Sequence, residues 1–109
     1  MGFKKIISRT REIMDIDDRT ILERTLKASE ELGEMSEAVL SATGSKGCAY
    51  KGKSNADIVE EAWDTAICAF SVAIQAMPSL SVEAHEDIIM RKLNKWERKV
   101  KEESVKNVK

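Results

Sequence analysis

The stretch KASEELGEMSEAVL, residues 27–40, sets Glu30, Glu31, Glu34 and Glu37 into two helical turns with apolar residues threaded between them. Each residue turns a helix by about 100°, so the faces follow from arithmetic. With the Ala28–Leu32–Met35–Val39 stripe taken as the core direction, Glu30 and Glu37 point towards solvent. Glu31 and Glu34 do not. They fall on the flank, in line with Lys27 and Ala38, beside the stripe that must be buried. A solvated surface helix accounts for the first pair and leaves the second badly placed.

A matching pair lies downstream. VEEAWD, residues 59–64, supplies Glu61 and Asp64, three apart and therefore on one face of one turn. The residues that follow, TAICAFSVAIQAM (65–77), are apolar or small on nearly every side, which predicts a helix buried all round. An i,i+3 carboxylate pair on each of two helices gives four oxygen donors that converge when the helices pack side by side. Alone, such a group repels itself and disfavours its own ionisation. A divalent cation relieves the repulsion, and oxygen-only ligands favour Mg²⁺ or Mn²⁺ over Zn²⁺.

The rest of the chain is consistent with a single helical domain spanning residues 1–109. Of 109 residues, 42% are apolar and 34% charged, and the net charge of −1 provides no field to attract nucleic acid or an anionic membrane. Cys48 and Cys68 match no zinc spacing, and the lone His85 adds no second nitrogen ligand. The N-terminal stretch has no long apolar run, so neither a leader nor a membrane span is expected, and the reading is a cytoplasmic protein with reduced thiols.

Periodicity predicts a first helix at about residues 3–14 and a second from a cap at Asp17 or Asp18 to about residue 41. The second carries the stripe Ile21, Thr25, Ala28, Leu32, Met35 and Val39. Residues 41–54 hold three of the five glycines and read as a loop. Ser54 and Asp57 open a third helix that Pro78 ends. Ser81 caps a fourth, with Val82, His85, Ile89, Leu93, Trp96 and Val100 as its core stripe and a fraying tail from about residue 101. No segment alternates with the period of a strand, so the expected class is all-α. Three or four short helices barely cover an all-apolar one, which predicts a homodimer or homotetramer built as a shared bundle. Trp63, Trp96 and His85 are expected to be packed.

EELGE followed by EEAWD resembles the EExxE…ExxD signature of the MazG-like all-α nucleoside triphosphate pyrophosphohydrolases, over about residues 20–100. The resemblance implies an all-α oligomer that uses Mg²⁺, with Mn²⁺ as a substitute, to cleave a nucleoside triphosphate to monophosphate and pyrophosphate. It implies Glu31, Glu34, Glu61 and Asp64 as metal ligands, the quartet that the helical-wheel arithmetic also selects. Glu30 matches the family's extra acid, and Glu30 or Glu34 would activate water. Trp63 departs from the smaller aliphatic residue usual at its position. The family's lysine- and asparagine-bearing segment near the C-terminus corresponds to Lys92, Asn94 and Lys95 as contacts for the substrate phosphates. A purine deoxynucleotide such as dGTP is the favoured substrate. Phosphoribosyl-ATP pyrophosphohydrolase is the nearest enzymatic alternative, against which the long Gly/Lys loop argues. A non-catalytic helical dimerisation module is the alternative of a different class.

GCAYKGKS, Gly47 to Ser54, fits the phosphate-cradling G-x-x-x-x-G-K-[ST] pattern letter for letter. That device needs a strand before the loop and a parallel sheet behind it. Here the loop follows an acidic helix, so no P-loop is expected, and Lys53 is kept only as a candidate contact to a bound triphosphate.

Overall fold

The computed structural model describes residues 2–106. It contains α1 (Gly2–Met14), α2 (Ile21–Ala42), α3 (Asn55–Ala76) and α4 (Val82–Lys106), with a 3₁₀ turn at Ala49–Lys51 and no strand among the described residues. The all-α expectation holds.

Side-chain caps set the helix starts. Thr20, not Asp17 or Asp18, caps α2: its Oγ1 accepts the Glu23 N–H at 3.1 Å, and Glu23 Oε1 accepts the Thr20 N–H at 2.8 Å. Thr20 wins because this reciprocal box satisfies two otherwise unpaired donors. Asp17 is engaged elsewhere, accepting the Arg19 N–H at 3.2 Å. The Ser54–Asp57 box opens α3 as expected, and Ser81 Oγ accepts the Ala84 N–H at the start of α4. The hydrogen bonds from Thr20 hold the Glu23 carboxyl below its ordinary range, and those from Ser54 do the same for Asp57. The tail expected from residue 101 is helical as far as Lys106, in a segment rich in Lys and Glu with a Glu97–Lys101 i,i+4 pair. Residues 107–109 of that tail lie outside the described residues.

α2 and α3 form the antiparallel pair at the centre. Arg24 Nε donates to Gln75 Oε1 at one end, and the Lys53 N–H donates to Ser41 Oγ at the other, at 2.9 Å. The buried line of α2 differs from the expected stripe. It runs through Arg24 (7% exposed), Glu31, Ala38 (1% exposed) and Ser41, while Leu32 and Val39 are left exposed. The true contact line is therefore rotated onto the flank that carries Glu31. Small residues at 38 and 41 let the two backbones approach, whereas Leu32 and Val39 face outwards.

α1 lies across α3, with Phe3 edge-on to Phe70 at 6.4 Å, and Arg11 Nη2 donates to the Leu80 carbonyl at 2.6 Å, fixing the α3–α4 turn. α4 meets the rest only through its first turns, where His85, Ile88 and Ile89 face α1 and the end of α3. His85 is buried, as expected. Trp63 and Trp96, expected in the core, are 61% and 67% exposed, and α3 buries only Ser71 and Ile74 fully. The radius of gyration is 17.4 Å, against about 13 Å for a compact domain of this size.

Replacing Thr20 or Ser54 by alanine should lower the melting temperature by about 4–8 °C at neutral pH, the cost of one N-cap. Because Glu23 and Asp57 have depressed folded-state pKa values, the stability they add is present above their unfolded pKa and lost as pH falls through the folded one. The difference between wild type and variant in thermal unfolding should therefore shrink below about pH 4.

Candidate metal centre

Halfway along the α2–α3 seam, Glu31 and Glu34 from α2 meet Glu61 from α3. One carboxylate oxygen from each lies within 4.8 Å of the other two. The burial is unequal: the Glu31 side chain is only 12% exposed, Glu61 is half-buried, and Glu34 stands at the open side. Glu31 Oε2 and Glu61 Oε2 are both shut off from solvent without a hydrogen-bond partner among the described residues. An unsatisfied buried polar atom is costly, and a charged one more so. Helix geometry produces this arrangement. Glu31 occupies the contact line of α2, Glu34 is one turn further on, and the antiparallel α3 brings Glu61 opposite both.

Among the described residues, one cation answers the cluster. Lys27 Nζ donates to Glu30 Oε1 at 3.2 Å and lies 3.4 Å from Glu31 Oε1. The hydrogen bond to Glu30, then that to Glu31, raises the Lys27 pKa. It reaches only Glu31 Oε1, leaving the inward oxygens of Glu31 and Glu61 unpaired. The chemistry of the donor set fits a hard divalent cation. All three donors are carboxylate oxygens, and among the described residues no nitrogen or sulfur ligand joins them. Cys68 stands near, its thiol pKa pushed up first by burial and then by the Glu31 charge.

Three of the four expected ligands thus converge, and the other candidates are placed differently. Asp64 is exposed one turn beyond Glu61 and lies outside the group of three; its side chain is a methylene shorter than glutamate's. Glu30 is exposed and tied to the cluster only through Lys27. Lys92, Asn94 and Lys95 are exposed on α4 beyond the turns that pack against α1 and α3, so a single chain does not bring them to the carboxylates.

Lys53 is exposed, and its backbone, not its ammonium, is engaged. The Walker-like loop is no phosphate cradle. Asp57 Oδ2 accepts from Ser54 N–H and Oγ, so a carboxylate already caps the helix N-terminus where a phosphate would sit. Lys51 pairs with Glu37 on α2, and Gly52 takes the left-handed conformation that ends the 3₁₀ turn.

The sequence reading missed Lys27, although its i,i+4 spacing to Glu31 signals an ion pair. It also missed Arg24, a full heptad before Glu31 on the same line. Comparison with known proteins adds no neighbour: no family model, no curated protein and no solved structure matches the chain.

Three carboxylates this close destabilise one another when no cation is present. Glu61→Gln should therefore raise the melting temperature by a few degrees in EDTA, measured by circular dichroism, whereas Glu60→Gln on the exposed face should leave it unchanged.

Proposed function

We propose that this chain is a Mg²⁺-dependent nucleotide pyrophosphohydrolase of the MazG-like type. The observation that carries the reading is the trio Glu31, Glu34 and Glu61 with two buried, unpartnered carboxylate oxygens. Added to it is the EELGE…EEAWD pattern, now seen to belong to two helices in direct contact. When bound, a divalent cation supplies neutralisation of phosphate charge and activation of water.

Glu31 and Glu61 would hold that cation from the seam, and Glu34, the exposed member, faces the open side by which substrate would arrive. Water attacks the α-phosphorus, the bond from that phosphorus to the α–β bridging oxygen breaks, and pyrophosphate leaves with the electron pair. Glu34 is the carboxylate placed to accept the proton from water. Lys27, between Glu30 and Glu31, fixes the Glu31 carboxylate and adds positive charge beside the phosphates. Asp64, exposed one turn beyond Glu61 and outside the converging trio, would be the fourth ligand only by the family pattern.

The active unit in this reading is a homodimer or homotetramer. The chain exposes 8421 Å², whereas a compact monomer of 12.2 kDa would expose about 6,100 Å² by the usual scaling of area with mass. The surplus is of the size that one protomer buries in an obligate interface. It is carried by Leu32 and Val39 on α2, Trp63 and Ile67 on α3, and Leu93 and Trp96 on α4. A partner on these faces would also bring its own α4 lysines towards the carboxylates.

Mg²⁺-dependent release of pyrophosphate from nucleoside triphosphates, assayed with a coupled pyrophosphatase, tests the reading. Glu31→Gln, Glu34→Gln and Glu61→Gln should each lower kcat by about 100-fold or more while the helical circular dichroism persists. Lys53→Ala should raise KM only moderately, as for one exposed phosphate contact. No release from any triphosphate would refute the proposal. Light scattering at micromolar concentration should give at least twice the chain mass, and an active, well-folded monomer would remove the assembly from it.

A further inference from the structure

A second cavity adjoins the carboxylates. It has a volume of about 180 Å³ and lies between α1, the α1–α2 turn, α2 and α3. Lys27 and Cys68 border it on the side of the metal centre, and Ile13, Met14 and Ile67 supply apolar walls. Its volume is below the roughly 300–1,000 Å³ of pockets for whole drug-sized ligands, a scale suited to one heterocycle whose phosphates extend to the carboxylates.

The polar atoms of this cavity can be sorted into spent and unspent. Thr10 Oγ1 donates to the Ile6 carbonyl, and Ser71 Oγ donates to the Cys68 carbonyl. Arg24 Nε donates to Gln75, and its Nη2 donates to the Asp17 carbonyl. Lys27 is held by Glu30 and Glu31. Arg24 Nη1 and the Cys68 thiol form no hydrogen bond among the described residues, and two further groups keep their capacity. Asp17 Oδ1 accepts one hydrogen bond, from Arg19 N–H, while Oδ2 has only the Arg24 guanidinium at 3.7 Å, beyond hydrogen-bond distance. The Arg19 guanidinium makes no hydrogen bond among the described residues and sits 3.7 Å from Asp17 Oδ1. The cavity thus offers a carboxylate acceptor beside a guanidinium donor.

We propose that this cavity binds guanine, with Asp17 and Arg19 as the residues that select it. Guanine carries O6, N1–H and N2–H in a row: two adjacent donors for a carboxylate and, next to them, an acceptor for a guanidinium. No other standard base matches. Adenine turns the lone pair of N1 towards the carboxylate beside its N6 donor, cytosine does so with N3, and thymine offers a single N–H between two carbonyls. Asp17 receives N1–H and N2–H, Arg19 donates to O6, and the ring lies against Ile13, Met14 and Ile67. The assignment rests on the pyrophosphohydrolase reading for its link to the carboxylates, making a guanine nucleoside triphosphate the substrate.

Calorimetric titration of the full-length chain in EDTA with dGMP, dIMP, dAMP and dCMP tests the cavity without metal or turnover. dGMP should bind tightest. dIMP, which lacks only the N2 amine, should bind about tenfold more weakly, the loss of one hydrogen bond to a charged group, and dAMP and dCMP more weakly still. Asp17→Asn should abolish the dGMP preference. Because Asp17 also accepts from Arg19 N–H, Arg19→Gln serves as the second variant: its side chain is more than half exposed, and it should weaken dGMP without changing dAMP. Equal binding of the four nucleotides, no binding of any, or a preference that survives in Arg19→Gln would overturn the assignment. Pyrophosphate release from all triphosphates alike would also sink guanine selection and leave the hydrolase reading standing. Preferential dGMP binding without pyrophosphate release would do the reverse.

Discussion

Packing α2 against α3 places Glu31 and Glu61 where a helical hairpin would ordinarily bury leucine. The pair is held by small residues and polar ties at its ends: Ala38 and Ser41 near the loop, and Arg24 bonded to Gln75 and the Asp17 carbonyl near the open end. Between these ties, two carboxylate oxygens are shut off from solvent and have no donor among the described residues. Apolar residues at 31 and 61 would make a more stable hairpin, since burying charge is costly unless it is paired. The arrangement gains by what it can hold. A divalent cation, in the proposed reading, would turn mutual repulsion into a cross-link between α2 and α3, and binding and stability would then be coupled. Glu34 and Lys27 then acquire their places, one at the open mouth and the other steadying the buried acid from outside.

The second constraint is surface area. α1 and α2 cannot cover α3, and α4 does not try: it leaves the body after its first turns. Trp63, Ile67, Leu93 and Trp96 are left facing out on two helices. At about 25 cal/mol per Å², so much exposed apolar surface is large beside a domain stability of about 5–15 kcal/mol. The proposed second copy would cover these faces and would account at once for the splayed α4 and for Lys92 and Lys95 lying far from the carboxylates of their own chain.

Much of this was legible before any coordinates. Helix number, the Ser54–Asp57 box, the stop before Pro78 and the pairing of Glu31 and Glu34 with Glu61 follow from period, capping chemistry and spacing. The misplaced core stripe and the misplaced Glu31 share one cause. A stripe of large apolar residues, Leu32 and Val39 included, was read as the core, although in one chain the closest contact goes to the small residues Ala38 and Ser41. The wheel then put Glu31 on a flank, when it is on the contact line itself. The α2 cap moved from Asp17 to Thr20 because a reciprocal box outcompetes a single acceptor, and the freed Asp17 belongs to a cavity that no local pattern announces. Trp63 and Trp96, expected to be packed, are exposed in the single chain.

The central claim is that Glu31, Glu34 and Glu61 make one cation site in the α2–α3 seam. Anomalous diffraction from crystals grown with Mn²⁺ tests it most directly, since it locates the ion without reference to any reaction. The account predicts a peak between Glu31 Oε2 and Glu61 Oε2, within coordination distance of both and of Glu34. Peaks confined to other surface carboxylates, with Glu31 and Glu61 unchanged at saturating Mn²⁺, would contradict it.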